Sequence, residues 1–264
     1  MVMDLVEDTP GGRSPHADGL GLRGVSFGYG GQQVISNLSF ALPDGIVGLL
    51  GVNGAGKSTL LGILSTRLRA ESGTVEWRGR PLDSPGVLRA YRQVLGFLPQ
   101  QPSWPGTTSV SQLLQHFCWL REIPAAQRTE RIESVLDRVD LAGRGASRLR
   151  ELSGGQRRRA LLATAIIHDP EVLLLDEPSV SLDPVQRASF KQLLVERQRP
   201  GCTTVLSTHL ISDVLDVADH VVVLDEGRVL AVRSGVEFRK LVAGEAGSDA
   251  AFAGVLASLR GDRL

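Results

Sequence analysis

The chain has 264 residues, 42% of them apolar and 22% charged, a balance that fits a globular fold and excludes wholesale disorder, collagen-like repeats and coiled coil as the main architecture. Lys plus Arg and Asp plus Glu both number 29, so no global field draws the chain to nucleic acid or to an anionic membrane. Cys118 and Cys202 are too few for a disulfide framework and fit a reducing compartment, and no apolar run nears the roughly 18 to 20 residues that cross a bilayer.

Residues 1–19 are acidic, carry Gly and Pro without periodicity, hold no apolar leader segment, and are expected to form a flexible tail. A compact unit is expected over 20–240, followed by an extension over 241–264. Short strands are predicted at Val25 to Tyr29 and Leu38 to Leu42. The turn Pro43-Asp44-Gly45 then leads into Ile46 to Leu50, a run with no polar face that suits a strand buried on both sides. Lys57 to Leu68 has leucines and isoleucine at helical spacing. Strands follow at Thr74 to Trp77 and Val94 to Leu98. Between Pro102 and Arg150 the pattern turns helical, with Val110 to Leu120 and Gln127 to Val139 the clearest segments. A helix from Gly154 to His168, a buried strand Val172 to Leu175, a helix from Pro184 to about Arg197 and a strand Thr203 to Ser207 come next. A helix over Leu210 to Ala218, strands His220 to Leu224 and Val229 to Val232 joined by Asp225-Glu226-Gly227, and a short helix at Ala250 to Leu259 complete the order. Alternation of this kind predicts an α/β fold, a mainly parallel sheet covered by helices, interrupted by the helical insert.

Gly51-Val52-Asn53-Gly54-Ala55-Gly56-Lys57-Ser58 fits G-x-x-x-x-G-K-[ST] and lies between a buried strand and a helix start, which is the phosphate-binding loop in its required context. Glycines let successive N–H groups turn inward, and the helix N-terminus aims its positive dipole end at a bound anion. Lys57 supplies a mobile charge for the β- and γ-phosphates, Ser58 a hydroxyl for Mg²⁺, and Thr59 a contact to the α-phosphate. Lysine occurs only here and at Lys191 and Lys240, so composition alone would have favoured arginine. Val172 to Leu175 delivers Asp176 and Glu177 to a strand end, where alternation would separate them: Asp176 toward Mg²⁺ through water, Glu177 toward the γ-phosphate and the attacking water.

Leu152-Ser153-Gly154-Gly155-Gln156 carries the most specific resemblance in the chain, to the ATP-binding-cassette family, whose signature is L-S-G-G-Q. Other elements stand in that family's order: Tyr29 before the phosphate loop, Gln100 after Gly96-Phe97-Leu98-Pro99, Leu182-Asp183 after Glu177-Pro178, and His209 after Ser207-Thr208. The resemblance spans about 20–240 and implies a P-loop NTPase core with an antiparallel N-terminal β subdomain and a helical subdomain inserted at about 102–160. It further implies that Tyr29 stacks on adenine, with Phe27 the competing aromatic, and that Gln100 meets Mg²⁺ and the attacking water, with Gln101 its neighbour. His209 would sense the γ-phosphate. Ser153, Gly154, Gly155 and Gln156, with Asp183 in the crossing loop, would meet the nucleotide held by a second copy, so that ATP bridges a head-to-tail pair. Ser179-Val180-Ser181 departs from the family's usual wording before Leu182-Asp183.

The reaction implied is ATP hydrolysis energising a membrane transporter, of exporter-like type, through a separate transmembrane permease chain at the cytoplasmic face. The ATPase subunits would form a homodimer or heterodimer, and nucleic acid is not an expected partner. The rival is a non-transport cassette ATPase acting on nucleic acid or ribosomes, disfavoured by the single compact cassette. His16, His116, His168 and His220 have no metal-ligand spacing and are expected to be structural or solvated. Arg144, Arg148, Arg150, Arg157, Arg158 and Arg159 form the one basic concentration; for the three on the helix after the signature a solvated face is the default, with a dimer-interface or regulatory role the alternative that family position implies and nucleic acid a minority reading. Among Trp104, Phe117 and Trp119, core placement is expected, with an exposed tryptophan a candidate contact for the permease.

Overall fold

The computed structural model describes residues 19–180, 182–243 and 249–261; the expected tail, Gly19 apart, lies outside them, as do Ser181 and parts of the extension. In chain order the elements are β1 (Leu20–Tyr29), β2 (Gln32–Leu42), β3 (Gly45–Leu50), α1 (Lys57–Leu64), β4 (Ser72–Trp77), β5 (Arg80–Pro81), α2 (Pro85–Val94) and β6 (Leu95–Leu98). They continue with α3 (Val110–Leu120), α4 (Ala125–Arg138), α5 (Gly154–Ile166), β7 (Val172–Asp176), α6 (Pro184–Glu196), β8 (Thr203–Thr208), α7 (Ile211–Leu215), β9 (His220–Asp225), β10 (Arg228–Ser234), α8 (Gly235–Ala243) and α9 (Asp249–Gly261).

Two sheets result. The first is antiparallel, in the order β2-β1-β4-β5, and the second runs β10-β9-β3-β8-β7-β6, parallel from β9 to β6 with β10 antiparallel at the edge. β3 lies between β8 and β9, and every residue after Gly45 is buried, as a run without a polar face requires. Alternation along β3 sends its side chains to two cores. Ile46 and Leu50 pack with α5, α6 and the helical insert; Val47 and Leu49 pack with Leu60, Leu61 and Leu64 of α1 and with the antiparallel sheet. Each fully buried Leu or Ile contributes on the order of 1.5–3 kcal/mol, so these layers hold the strand whose end carries the phosphate loop.

α3 begins at a Ser109–Gln112 capping box and buries Val110, Leu113, Leu114 and Cys118 against α4 and α5. Trp104 and Phe117 pack on this core, while Trp119 is 62% exposed. Two helices carried no reading in the sequence. α2 is capped by Ser84 and opened by Pro85, but buries only Val87 and Tyr91, whose hydroxyl donates to the Leu64 carbonyl at 2.8 Å. α8 follows β10 directly and places Phe238 and Val242 in the core, beside Val255 and Leu256 of α9. α1 ends four residues short of the expected Leu68, because the Gly62 carbonyl accepts from both Arg67 and Leu68 and closes the helix.

His168, just past α5, is structural, as expected. Its Nε2 faces the Leu95 carbonyl at 3.0 Å and must donate to it, while the buried Nδ1 has no partner. Burial first, then the charges of Arg121 and Arg197, push its pKa down to about 3, against the bond to Leu95 and the charge of Asp169. The unfolded chain therefore takes up a proton near pH 6.5 that the folded chain refuses. Stability should fall as pH drops below 6.5, by up to about 1.4 kcal/mol per unit from this group alone. Denaturant melts of the wild type and His168→Gln between pH 7 and 4.5 should show the shallower slope in the variant, and equal slopes would remove His168 as the cause.

Candidate functional site

The chemistry gathers at the C-terminal ends of the central parallel strands, where open α/β sheets bind ligands. β3 runs into the phosphate loop, β6 into Gln100, β7 into Asp176 and Glu177, and β8 into His209. The register brings these ends level: Leu50 pairs with Thr208, Asp176 with Ser207, and Leu98 with Leu175.

In the loop, Gly54 and Gly56 have φ of 86° and 101°, a region that excludes ordinary side chains. A Cβ on Gly54 would meet nothing, so that side of the loop is open. α1 has Gly56 as its N-cap and no side-chain cap, so its first N–H groups are left for another acceptor. Lys57 is buried; its Nζ donates to the carbonyls of Gly51 at 2.6 Å and Val52 at 3.2 Å and lies 3.9 Å from a Glu177 oxygen. Burial lowers its pKa, and the charges of Glu177 and Asp176 oppose that shift. A desolvated cation beside an uncapped helix start is chemistry suited to a polyphosphate. Asn53 and Ser58 are exposed at this loop, whereas Ala55 and Thr59 are buried. Ala55 is tied in on both sides: its N–H donates to the Val52 carbonyl, and its carbonyl accepts from Gly227.

Asp176 is buried at the end of β7 and accepts from the Ser207 hydroxyl at 2.6 Å. The sequence suggested that strand alternation separates it from Glu177, but β7 ends at Asp176 and Glu177 is turned by its own backbone instead. Glu177 leaves the strand with φ 48°, a left-handed conformation costly for a non-glycine residue, and its N–H donates to Ser207, carbonyl and hydroxyl oxygens both. Its carboxylate oxygens stand 3.0 and 3.1 Å from Nδ1 of His209. The carboxylate can only accept, so Nδ1 carries the proton in this contact. Ser207, between the two acids, had no role in the sequence reading. The pairing of β7 with β8 is what reveals it.

Gln100 is exposed just past β6. Tyr29, at the end of β1, is 54% exposed and meets Phe27 edge-on at 4.9 Å, while Phe27 packs on the core. Of the two aromatics, Tyr29 is the one presented to solvent.

Ser153 caps α5, accepting from the Gln156 N–H at 3.2 Å while the Gln156 side chain accepts from the Ser153 N–H at 3.0 Å. Gln156 thus spends its carbonyl oxygen on its own helix. Gly154 opens on free space, whereas a Cβ on Gly155 would lie 2.1 Å from Oε1 of Gln186, so any larger residue there would have to turn the Gln186 side chain aside. Asp183 caps α6 through the Gln186 N–H at 2.9 Å. In the preceding loop, Ser179 is buried and donates to Asp213 of α7, and Val180 is 42% exposed.

The arginine run is not a free solvated face. Arg157 donates to the Leu149 carbonyl and Arg159 to those of Val139 and Asp140, and Arg158 turns into the site. Among the described residues no group of three or more His, Cys, Asp or Glu side chains is placed to hold a metal.

A phosphate loop on β3, acids on β7, an imidazole on β8 and a serine-capped helix opening outward define a P-loop ATPase of the cassette type. The chain belongs to the ABC transporter family, whose profile matches residues 35–180. It is 36% identical over 220 residues to the daunorubicin resistance ATP-binding protein DrrA3 of Streptomyces coeruleorubidus, covering 82% of this chain and 68% of that one. It is 35% identical to a Nod factor export ATP-binding protein I of Ralstonia nicotianae, covering 80% and 66%, and 34% identical to the methionine import ATP-binding protein MetN 3 of Shouchella clausii, covering 80% and 64%. The chain thus spans about two thirds of the length of these relatives. Among solved structures, cbiO1 of Clostridium perfringens, part of the transporter complex cbiONQ, superposes with a TM-score of 0.74 at 28% identity, covering 84% of this chain and 90% of that one.

Proposed function

We propose that two copies of this chain, or one copy and a similar subunit, close head to tail on ATP and hydrolyse it to drive a separate transmembrane permease. The convergence that supports this reading is Lys57, Glu177 and His209 around an uncapped helix start. Glu177 polarises the attacking water, held by His209; Lys57 and the loop N–H groups grip the phosphates; Tyr29 stacks on adenine. Ser58 and Gln100, with Asp176 through water, are the oxygen donors that fit a hard Mg²⁺ ion, which would neutralise phosphate charge. Ser153 and Gly154 present a capped helix N-terminus to the γ-phosphate on the other copy. No helix among the described residues is long and apolar enough to cross a membrane. In this reading the membrane-spanning part is a separate permease chain, and the ATPase works at the cytoplasmic face of the membrane. Trp119, exposed on α3, is the candidate permease contact. Export fits the wording of the Nod factor relative and of Gly96-Phe97-Leu98-Pro99-Gln100.

Ser153→Asp tests the pairing. Aspartate caps a helix about as well as serine, so α5 survives, but its charge faces the partner's phosphate. The variant should bind ATP as a monomer with affinity within about threefold of wild type and lose ATP-driven dimerisation, a penalty of about 2–5 kcal/mol at a desolvated contact. Analytical ultracentrifugation with Mg-ATP in the Glu177→Gln background reads this directly, and unchanged dimerisation would refute the trans contact.

A further inference from the structure

Arg158 lies one turn into α5, and its guanidinium points inward. Nε donates to the Pro178 carbonyl at 3.3 Å, Nη1 to those of Pro99 at 3.3 Å and Gln100 at 2.8 Å, and Nη2 to those of Asp176 and Glu177, both at 2.8 Å. Arginine has five N–H groups, and each one here has its own carbonyl. The acceptors come from two segments. The ladder between β6 and β7 ends at the pair Leu98 and Leu175, so beyond it the Gln100 and Glu177 segments have no strand pairing to each other. Arg158 begins where that ladder stops. It also holds the carbonyl side of Glu177 in its left-handed conformation, while Ser207 holds the N–H side. Burial pulls the guanidinium pKa down, and Asp176 and Glu177 oppose this.

We propose that Arg158 is a positioning residue for hydrolysis, fixing Gln100 and Glu177 relative to each other and tying both to the helix that Ser153 caps and Gly154 opens. The geometry explains why an arginine stands here: a planar fork reaches carbonyls on two segments at once, whereas an ammonium has three donors at one point. A group bound at the start of α5 and the residues facing the attacked phosphate then share one rigid connection. The proposal rests on the roles given above to Glu177 and Gln100.

The test compares Arg158→Gln, Arg158→Lys and Arg159→Gln in the full chain, with steady-state ATP hydrolysis and thermal melting measured for each. Arg159→Gln is the control, since it removes carbonyl bonds from the same helix away from the site. Arg158→Gln should lower kcat about 10- to 100-fold with KM for ATP within about threefold, the signature of lost alignment rather than lost binding. Arg158→Lys should fall between it and the wild type, and Arg159→Gln should melt lower but keep kcat. Wild-type kcat in either Arg158 variant would overturn the proposal, as would an equal kcat loss in Arg159→Gln. Should Arg158→Gln not fold, the lysine variant carries the same decision. Glu177→Gln in the same assay separates the premises: full turnover there removes the role of the carboxylate and this role of Arg158 with it, whereas an inactive Glu177→Gln beside a fully active Arg158→Gln removes only the latter.

Discussion

Glu177→Gln should bind ATP and turn it over about 10²- to 10⁴-fold more slowly than the wild type, the range that a positioned general base contributes. The substitution keeps volume and shape, so β7, the left-handed turn and the bonds that the Glu177 N–H donates to Ser207 are unaffected. The amide oxygen can still accept from Nδ1 of His209, which keeps the imidazole in place. What disappears is a negative charge able to draw a proton from water. Loss of that charge also leaves Lys57, 3.9 Å away, less compensated, which strengthens its pull on phosphate and favours the ATP-bound state. With binding intact and cleavage stalled, Mg-ATP should hold the chain as a dimer, visible by size-exclusion chromatography. Single-turnover hydrolysis at the wild-type rate would remove Glu177 from the chemistry.

The parts of this site legible in the sequence are those whose function requires a fixed local spacing. The phosphate loop, the Asp176-Glu177 pair, Ser153-Gly154-Gly155 and His209 each occupy a few consecutive positions, and each falls at the strand end or helix start that its chemistry requires. The buried strands were legible too, because a run such as Ile46 to Leu50 has no polar face to present to water. α2 and α8 were not, since each is short, ten and nine residues, and abuts a strand without a break, so few apolar positions mark where one period gives way to the other. Ser207 and Arg158 were illegible for a different reason. Their partners lie 31 and up to 59 positions away in the chain, and only sheet register and helix docking bring them together. Arg158, within a run of three arginines, looked like surface for the same reason: composition reports charge, not the direction in which a guanidinium points.

Lys57→Ala should abolish measurable ATP binding at micromolar nucleotide, a loss of about 2–5 kcal/mol for truncating one side of a desolvated charge contact. Two effects combine. The phosphates lose a cation that now sits 6% exposed, and two carboxylates, Asp176 and Glu177, remain near the phosphate position without it. The fold should respond in the opposite sense from binding, or little at all. Burial already disfavours the charged form of Lys57, so replacing it by a neutral side chain relieves desolvation while leaving the Gly51 and Val52 carbonyls without their donor. Lys57→Met, which fills the same space without charge, separates these contributions: it should melt within a few degrees of the wild type yet bind ATP no better than the alanine variant. Isothermal titration of both variants with Mg-ATP decides the matter, because retained micromolar affinity in either would mean that the loop N–H groups of α1 grip the phosphates without the lysine.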